Sequence, residues 1–460
     1  MRIAWVTAFT ERSGIASFSR HVTAALAAYA DVEIWTNDEP PLLESRLPVV
    51  RFDTAQQIEA RLADFDIAVY NLGNTVSPHA EIHELSKRRP GIVVLHDRVL
   101  HPMFAAKWRG PGGFVDPMYL SRMAAYYGDA GLRVATESVL GTRAPVWESD
   151  DVLTYPLSEE ALLRALGAVV HSEGHARYIR EHWFGPVRVL YHPVYREVLA
   201  SAPAAAAPRA GARLQLTTVG HVNANKQCHR VLRMLADHDE LSARVHYTIA
   251  GHLEPSNSYA ADLAALLRSL PGVSAELLGW RDEDELAQLM AATDIFVNLR
   301  HPIIEGASGS LMHELAFGRP VLCFDDGAFG ELPGDAVARV PAGDFAAVAA
   351  ELGRLVSDPA RRRALGERAR AFAEALTEAA YAESFMGFIE EVLGVAPGLR
   401  LIDAVADQLA GIRTDPRDPL FAELAEDLHG RLGAEVAAVM RGRGPRSRGA
   451  GEQPAGAPRA

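Results

Sequence analysis

The sequence predicts two doubly wound α/β domains with parallel sheets that face each other across a cleft. Short β-branched runs alternate with longer amphipathic segments along most of the 460 residues, and this alternation is typical of α/β proteins. Most of the short runs are continuous apolar runs instead of alternating ones, as expected for strands buried on both faces of a parallel sheet. An Ala- and Pro-rich stretch near the middle divides the runs into two series of similar length.

The predicted strands form one series of six and one of five. The first series consists of Ile3–Thr7, Val32–Thr36, Ile67–Asn71, Ile92–His96, Ala168–Ser172 and Val187–Tyr191. The second consists of Leu214–Val219, Val245–Ala250, Ala275–Leu278, Ile295–Leu299 and Val321–Phe324. Ligands of such sheets bind at the carboxyl ends of the strands, so the cleft between the two domains is the expected site.

The domain boundaries are predicted from the same patterns. Residues 1–199 form an N-terminal Rossmann-like domain, expected on the acceptor side of the cleft, and residues 200–212 (ASAPAAAAPRAGA) form a linker without apolar periodicity. Residues 213–378 form a C-terminal Rossmann-like domain, and residues 379–440 add helices. Residues 441–460 are dominated by Gly, Pro, Arg and Ala and are predicted to be a disordered basic tail.

The charge excludes a general nucleic-acid binder. The net charge is −13, whereas phosphate backbones require concentrated cationic charge. The last 20 residues carry five Arg and one Glu, which leaves peripheral contact with an acidic membrane surface open, although such tails are more often simply solvated.

Cysteine usage and targeting signals predict a cytoplasmic protein. Cys228 and Cys323 lie outside any CxxC or zinc-ligand spacing, which excludes a disulfide-stapled scaffold and fits a reducing compartment. The N-terminus lacks the pattern of a signal peptide, and no run of about 18 apolar residues predicts a transmembrane helix.

A small-residue loop before a predicted helix is a candidate anion site. Residues 305–310 (EGASGS) follow a predicted strand, and Ser308, Gly309 and Ser310 occupy the helix start. Four backbone N–H groups lack helical partners there, and the helix dipole favours an anion. Glu314 lies about 6 Å further along the axis, where a carboxylate could accept hydrogen bonds from ribose hydroxyls. The alternative is that Ser310 merely caps the helix and Glu314 is a solvated surface acid.

A second candidate site follows the first strand of the C-terminal series. The loop GHVNANK places Gly220, His221 and Lys226 between a strand and a helix, where cations could meet an anionic ligand. It nearly matches the Walker A pattern, but Asn225 replaces the second Gly and Gln227 replaces the Ser or Thr. An NTPase is therefore not favoured.

Three predicted strand ends in the N-terminal half carry further candidates. Gly14 lies in the loop between the first strand and the first helix, and His96 ends the fourth strand. Asn74 and His79 follow the third strand. Because the carboxyl ends of parallel strands meet at one edge of the sheet, these residues are expected to share that edge.

Taken together, these motifs resemble the family-four retaining glycosyltransferases of GT-B fold, bacterial members included. The resemblance covers about residues 1–395 and is most specific in the second half. There it is carried by Gly220, Lys226, Gly251, Gly279-Trp280, Asp294, Glu305, Glu314, Gly318, Pro320 and Glu331. In that family two Rossmann-like domains enclose a nucleotide-sugar, and the C-terminal domain holds the nucleotide.

The resemblance implies roles for individual residues. It implies that the donor nucleotide-sugar is bound by Gly14, Gly220, His221, Lys226, Ser308, Gly309, Ser310 and Glu314. Within that set Lys226 would contact the diphosphate and Glu314 the ribose. The resemblance also implies catalytic roles for Lys226, for Glu305 and for His96, which would line the transferred sugar. Asn74 and His79 are then expected on the acceptor side.

Two positions differ from the family pattern. Eight residues separate Glu305 from Glu314, whereas the family usually has seven, so the loop is displaced by one residue. This leaves open whether Glu305 takes the position of the family's sugar-contacting acid. His221 stands where the family commonly has Arg, which weakens the phosphate clamp unless the imidazole is protonated or donates a hydrogen bond.

The function that the resemblance implies is transfer of a sugar from a nucleoside-diphosphate sugar to an acceptor hydroxyl of a glycan or glycoconjugate, with anomeric retention. The nucleotide-sugar would be a co-substrate, and no cofactor is expected. Two alternatives stay open: a GT-B epimerase or hydrolase of nucleotide-sugars, and a non-catalytic nucleotide-sugar-binding protein. A nicotinamide oxidoreductase is not favoured, since neither half contains G-x-G-x-x-G.

No metal site is expected. His79 and His83 have a spacing that could bind zinc on one helix face, but the HExxH order and a third ligand are absent. The three DxD triplets, which begin at Asp64, Asp237 and Asp282, are interpreted as turn and helix-cap residues.

Overall fold

The computed structural model describes residues 1–11, 13–109, 115–202, 213–253 and 258–411. It divides into two compact units, Met1–Gly387 and Phe388–Ala460, and both sheets lie in the first. Most of the predicted linker, residues 203–212, and the predicted basic tail lie outside the described residues. The predicted domain boundaries stay predictions.

The N-terminal sheet has seven strands. They are β1 (Arg2–Val6), β2 (Asp31–Thr36), β3 (Val49–Arg51), β4 (Ile67–Leu72), β5 (Ile92–Leu95), β6 (Gly167–Val170) and β7 (Val187–Val189). Their order across the sheet is β3-β2-β1-β4-β5-β6-β7, and every pair is parallel. From β1 the chain first adds β2 and β3 on one side and then returns to add β4 to β7 on the other side. The switch point between β1 and β4 is where a doubly wound sheet usually binds its ligand, at the carboxyl ends of the strands.

The C-terminal sheet has six strands and the same winding. They are β8 (Leu214–Val219), β9 (Val245–Ala250), β10 (Ala275–Gly279), β11 (Ile295–Asn298), β12 (Val321–Phe324) and β13 (Ala338–Val340). The order is β10-β9-β8-β11-β12-β13, again with every pair parallel. The switch point of this sheet therefore lies between β8 and β11.

Helices connect the strands, as parallel pairing requires. In the described residues they are α1 (Gly14–Leu26), α2 (Ala55–Ile58), α3 (Val76–Arg88), α4 (His101–Lys107), α5 (Pro117–Leu140), α6 (Glu173–His182), α7 (Arg196–Ser201), α8 (Cys228–Ala236), α9 (Asp239–Ser242), α10 (Ser258–Ser269), α11 (Glu283–Ala292), α12 (Gly309–Ala316), α13 (Gly327–Gly330), α14 (Phe345–Ser357), α15 (Pro359–Glu374) and α16 (Glu378–Gly411). Within this described part, none of the helices combines the length and apolar character needed to cross a bilayer.

The predicted fold class is confirmed, and all eleven predicted strands are present with ends that shift by one or two residues. Two further strands, β3 and β13, were not predicted. Each has only three residues, which is too short for a run of apolar residues to distinguish a strand from a loop. Both are edge strands of their sheets, where less burial is required.

The C-terminal sheet is buried on both faces at its centre, which explains the consecutive apolar residues of strands such as β11 (IFVN) and β12 (VLCF). Neighbouring residues on one strand belong to different core clusters: Val297 packs with Leu322 on one face, and Phe296 packs with Cys323 on the other. All four side chains are at most 1% exposed. Because side chains alternate between the two faces of a strand, burial on both faces favours apolar residues at consecutive positions.

Candidate active site

The carboxyl ends of β8 and β11 position the central cation of the site. Gly220 follows β8 with φ +98°, and the chain then forms a single 3₁₀ turn, Ala224–Lys226. The Lys226 side chain is 3% exposed, and its ammonium donates a hydrogen bond to the Val219 carbonyl. A Cβ at position 220 would lie 3.2 Å from the Lys226 Nζ and 3.5 Å from the Cβ of Ser310. The absence of a side chain at Gly220 thus lets Lys226 approach the start of α12.

Lys226 keeps its charge near neutral pH despite its burial. Burial and the Arg300 guanidinium outweigh the Glu314 carboxylate and together lower the pKa of Lys226 to about 8. A cation that is held out of water interacts with an anion more strongly than one at the surface.

Two residues that break the Walker A pattern hold the loops after β8 and β11 together. The Asn225 side-chain amide donates to the Pro302 carbonyl at 2.6 Å, and the Gln227 amide donates to the His301 carbonyl at 3.0 Å. The His301 N–H in turn donates to the Asn225 carbonyl at 3.0 Å. The two residues that differ from the Walker A pattern therefore have a structural role, because their side chains hold the loop after β8 against the loop after β11.

The predicted helix start is confirmed. Helix α12 begins at Gly309, and Ser308 is its N-cap, with Oγ accepting from the Leu311 N–H at 3.2 Å. Ser310 Oγ lies 3.1 Å from Ser308 Oγ. A Cβ at Gly309 would lie 3.3 Å from the His192 ring, so glycine permits the close approach of that imidazole. The cap is Ser308, one of the two serines that the sequence places at the helix start, and not Ser310.

Arg300 is a second cation of the site, and sequence reasoning missed it. It lies two residues after β11, and its guanidinium forms an ion pair with Glu305 and donates to Ser308 Oγ at 3.1 Å. The Arg300 side chain is only 12% exposed. Its place just beyond a strand end was a usable signal, but the surrounding RHPII letters match no anion-binding pattern. Arg300 thus links Glu305 to the start of α12.

Glu314 lies beneath the helix start and is fully buried. Both carboxylate oxygens accept hydrogen bonds of 3.0 Å from the side-chain amide of Asn298, the last residue of β11. Burial raises the pKa of Glu314 to about 7, and the Lys226 ammonium lowers it. The alternative of a solvated surface acid is therefore wrong, while the predicted contact with a ribose stays a prediction.

Residues after β4 and β5 form the other side of the site. His96 follows β5, and its Nε2 lies 3.0 Å from Asn71 Oδ1 on β4. The next residue, Asp97, accepts a hydrogen bond from the Asn74 N–H at 2.8 Å. Burial, together with the nearby Glu305 carboxylate, raises the pKa of Asp97 to about 7. His96 and Asn74 are therefore brought together through Asn71 and Asp97.

Backbone hydrogen bonds join the loops of the two sheets. The Gly306 N–H donates to the His96 carbonyl at 2.9 Å, and the Val99 N–H donates to the Ile304 carbonyl at 3.1 Å. These bonds place the Glu305 loop directly against the end of β5. Three predicted catalytic residues therefore lie in one region: Glu305 and His96 in touching loops, and Lys226 beside the helix that the Glu305 loop leads into.

The remaining predicted residues lie at the edges of this arrangement. Gly14 is the first residue of α1, and no atom lies within 4 Å of the position that a Cβ would take. His221 is exposed, with its ring centroid 5.5 Å from that of His252. His79 is buried, with Nδ1 2.9 Å from the Thr75 carbonyl oxygen. The space beside Gly14 is therefore open, whereas the His79 side chain is buried in the N-terminal half.

Glu331 connects the C-terminal half to a helix of the N-terminal half. Its carboxylate accepts hydrogen bonds from the backbone N–H groups of Glu173 at 2.7 Å and Gly174 at 2.6 Å, the first two residues of α6. A carboxylate at a helix N-terminus satisfies orphan donors and matches the helix dipole. The motif glutamate therefore acts as a helix cap across the two halves.

The two histidines with zinc-like spacing have other partners. His83 Nε2 lies 3.1 Å from the Glu160 carbonyl oxygen, and His83 Nδ1 lies 2.8 Å from the Lys107 ammonium. His79 bonds to Thr75 instead. In the described part of the chain, no group of three His, Cys, Asp or Glu residues is arranged to hold a metal ion.

Three histidines and Phe18 form an aromatic cluster where β5, β6 and β7 end. The Phe18 ring centroid lies 4.7 Å from His96, 5.7 Å from His171 and 5.5 Å from His192. Burial lowers the pKa of His171 to about 4 and that of His192 to about 3. The His171 and His192 rings are therefore neutral at pH 7 and act as packing residues of this cluster.

Acidification is expected to destabilise the protein through such histidines, and His175 on α6 provides the test. Burial lowers the pKa of His175 to about 3, so below pH ~6.5 the unfolded chain binds a proton that the folded chain excludes. The contribution of His175 to the unfolding free energy is therefore fully present above pH ~6.5 and is lost as the pH falls below that value. From pH ~7.5 to ~5.5 this single residue should lower the unfolding free energy by about 1.4 kcal/mol.

Urea unfolding of wild type and His175→Leu at both pH values measures this contribution. The variant should show a pH dependence that is smaller by about 1.4 kcal/mol. Ile179→Val on the same helix is the packing control, because its stability loss should be equal at both pH values. An unchanged pH dependence in His175→Leu would contradict the assignment.

Comparison with known proteins agrees with this architecture. Residues 213–358 match the family model described as "Glycosyl transferases group 1". No curated protein matches the sequence. Among solved structures, sucrose-phosphate synthase from Thermosynechococcus elongatus is 15% identical with a TM-score of 0.61, over 85% of this chain and 99% of that chain.

Two further structures are similar at the same level. Anabaena Alr3699/HepE in complex with UDP-glucose is 15% identical with a TM-score of 0.57, over 85% of this chain and 99% of that chain. WaaG, a glycosyltransferase involved in lipopolysaccharide biosynthesis, is 14% identical with a TM-score of 0.56, over 84% and 99%. The resemblance to glycosyltransferases of GT-B fold is thereby confirmed, in the family match of the C-terminal half and in the fold of both halves.

Proposed function

We propose that the protein transfers a sugar from a nucleoside-diphosphate sugar to a hydroxyl of a glycan or glycoconjugate, with retention of the anomeric configuration and without a metal ion. One observation carries the proposal: the buried Lys226 ammonium lies beside the N-terminus of α12, separated from it only by Gly220. The family match of residues 213–358 supports the same reaction class.

The site offers two kinds of stabilisation to a departing diphosphate. As the bond between the sugar and the β-phosphate breaks, negative charge grows on the phosphate oxygens. Lys226 and the free N–H groups at Gly309 and Ser310 are fixed before the reaction, so they stabilise that charge without reorganisation. Open space at Gly14 allows backbone to approach the same phosphates from the opposite side.

Retention is proposed to follow a front-face course, in which the acceptor enters on the side from which the diphosphate leaves. Such a course requires no enzymic nucleophile. The carboxylates nearest the cleft are engaged elsewhere, Glu305 with Arg300 and Glu314 with Asn298. Asp97, whose pKa is raised to about 7, could take up the acceptor proton near neutral pH, since an efficient base has a pKa close to the working pH.

The location and partners form part of the proposal. Cys228 and Cys323 are buried free thiols, which fits a reducing cytoplasm. Because Anabaena Alr3699/HepE was crystallised with UDP-glucose, UDP-sugars are the first donors to test. Because WaaG takes part in lipopolysaccharide biosynthesis, lipid-linked and free oligosaccharides are the first acceptors.

A thermal-shift screen of UDP, GDP and ADP followed by turnover assays tests the proposal. A nucleotide at 100 times its dissociation constant should stabilise the protein by about 2.7 kcal/mol. With the matching nucleotide-sugar and an acceptor, NMR of the product should show the anomeric configuration of the donor. Release of free sugar or an epimer without acceptor would instead identify a hydrolase or epimerase, and binding without any turnover would identify a non-catalytic binder.

A further inference from the structure

A second cavity lies at the other end of α12, away from the candidate active site. It has a volume of about 260 Å³ and is lined by the turn between α12 and β12 and by one face of α15. Four arginines line it: Arg319, Arg362, Arg363 and Arg370. We refer to this cavity, with its four arginines, as the arginine pocket.

Two glycines bring the walls of the arginine pocket together. Gly318 ends α12 with φ +62°, a conformation that side chains other than glycine rarely adopt. A Cβ at Gly366 on α15 would lie 2.1 Å from the Gly318 carbonyl oxygen, which is a severe overlap. The backbone of α15 therefore contacts the turn directly, and Arg319 of the turn comes to line the same cavity as the arginines of the helix.

The acidic residues of the arginine pocket do not balance its arginines. Three acids line it, Asp294, Glu367 and Glu374, one fewer than its arginines, and Glu374 is already paired with Arg370 at 2.8 Å. The negative end of the α12 dipole favours one neighbouring cation, but not four. An excess of positive charge is concentrated here in a chain whose net charge is −13.

One of the arginines has an unsatisfied donor. The Nε of Arg319 is buried, and in the described part of the chain it has no hydrogen-bond acceptor. Arg362, by contrast, donates to the carbonyls of Leu355 at 2.6 Å and Val356 at 3.2 Å, at the end of α14. The Nε itself is closed off from solvent, so an anion in the cavity would meet the terminal N–H groups of the Arg319 guanidinium instead.

We propose that the arginine pocket binds a phosphate group, either free or at the end of a small phosphorylated metabolite, through Arg319 and Arg363. Guanidinium groups match the geometry of phosphate oxygens with paired N–H donors. The cavity is smaller than the ~300–1,000 Å³ typical of sites for larger organic ligands, which favours a small anion. The arginine pocket lies by the amino ends of β11 and β12, whereas Lys226 lies by the carboxyl ends of the strands of the same sheet. The proposed phosphate site therefore does not depend on the proposed sugar transfer.

Isothermal titration of the full chain with inorganic phosphate, at constant ionic strength set with sodium chloride, tests the proposal. Wild type should bind one phosphate at the arginine pocket, and Arg319→Gln and Arg363→Gln should each weaken that binding at least about tenfold. Arg368→Gln is the matched control, because Arg368 lies on α15, is 69% exposed and does not line the cavity. Arg363→Gln tests the site even if Arg319→Gln fails to fold, because Arg363 is exposed.

Lys226→Ala separates this site from the candidate donor site. Phosphate binding that survives Lys226→Ala and is lost in Arg363→Gln supports the arginine pocket. Binding that is lost in Lys226→Ala and unchanged in both arginine variants, or no binding beyond that of chloride, would overturn the proposal. Glycerol phosphate is the second probe: tighter binding than inorganic phosphate supports a phosphorylated metabolite as ligand, and equal or weaker binding supports free phosphate.

Discussion

Replacing Lys226 by Ala should lower kcat/KM for sugar transfer by at least about 100-fold, comparable to the loss of one preorganised donor to a developing anion. The ammonium donates to the Val219 carbonyl, and a Cβ at Gly220 would lie 3.2 Å from Nζ and 3.5 Å from the Cβ of Ser310, so the cation is positioned close to the start of α12. Steady-state kinetics with the matching nucleotide-sugar and acceptor measure the effect. The dissociation constant of the free nucleoside diphosphate should increase as well, because the proposal places the Lys226 ammonium against the leaving group.

A loss of folding could imitate this result, since Lys226 is the cation nearest to buried Glu314. Burial already raises the pKa of Glu314 to about 7, and without the ammonium the carboxyl group should take up a proton. The double variant Lys226→Met, Glu314→Gln removes both charges and keeps similar side-chain volumes. Its unfolding free energy should therefore be close to that of wild type, while its sugar-transfer activity should still be lost. Turnover near the wild-type rate in either variant would exclude Lys226 from the reaction.

The fold could be predicted from the sequence because its determinants are local. A strand such as β12 is recognisable because both faces of the sheet are buried there, which favours apolar residues at consecutive positions. The start of α12 was predictable because Ser308 and Gly309 have the chemistry of a helix N-terminus. The strands β3 and β13 were missed because three residues carry little periodic signal, whereas the equally short β7 was found because apolar residues continue past its end, at Leu190 and Tyr191.

The connections within the site depend on contacts between distant segments. The burial of Glu314 follows from Asn298, sixteen positions earlier, and from Lys226 in another loop. Arg319 and Arg362 line one cavity although they are 43 positions apart, because the Gly318–Gly366 contact brings their segments together. Such pairings are set by packing and have no counterpart in the spacing of residues along the chain.

A double-mutant cycle on Arg300 and Glu305 should show that the two residues act as one unit. Each single variant, Arg300→Gln or Glu305→Gln, breaks an ion pair whose side chains are 12% and 22% exposed, and leaves the other charge poorly solvated. The free guanidinium would no longer be held at Ser308 Oγ, and the free carboxylate would repel the donor diphosphate. We expect each single variant to lower kcat/KM by about 30-fold or more, equivalent to about 2 kcal/mol.

The double variant distinguishes positioning from direct contact with the sugar. If Glu305 mainly orients Arg300 against the start of α12, the double variant should be no worse than either single variant, because the pair is already broken in each. If Glu305 contacts the transferred sugar itself, as the resemblance implies, the losses should multiply to about 1,000-fold. The surface pair of Arg339 and Asp325, with an N–O distance of 3.1 Å, is the control, and its cycle should leave kcat/KM unchanged. Full activity in both single variants would remove the pair from the mechanism and leave Lys226 and the α12 N-terminus as the diphosphate site.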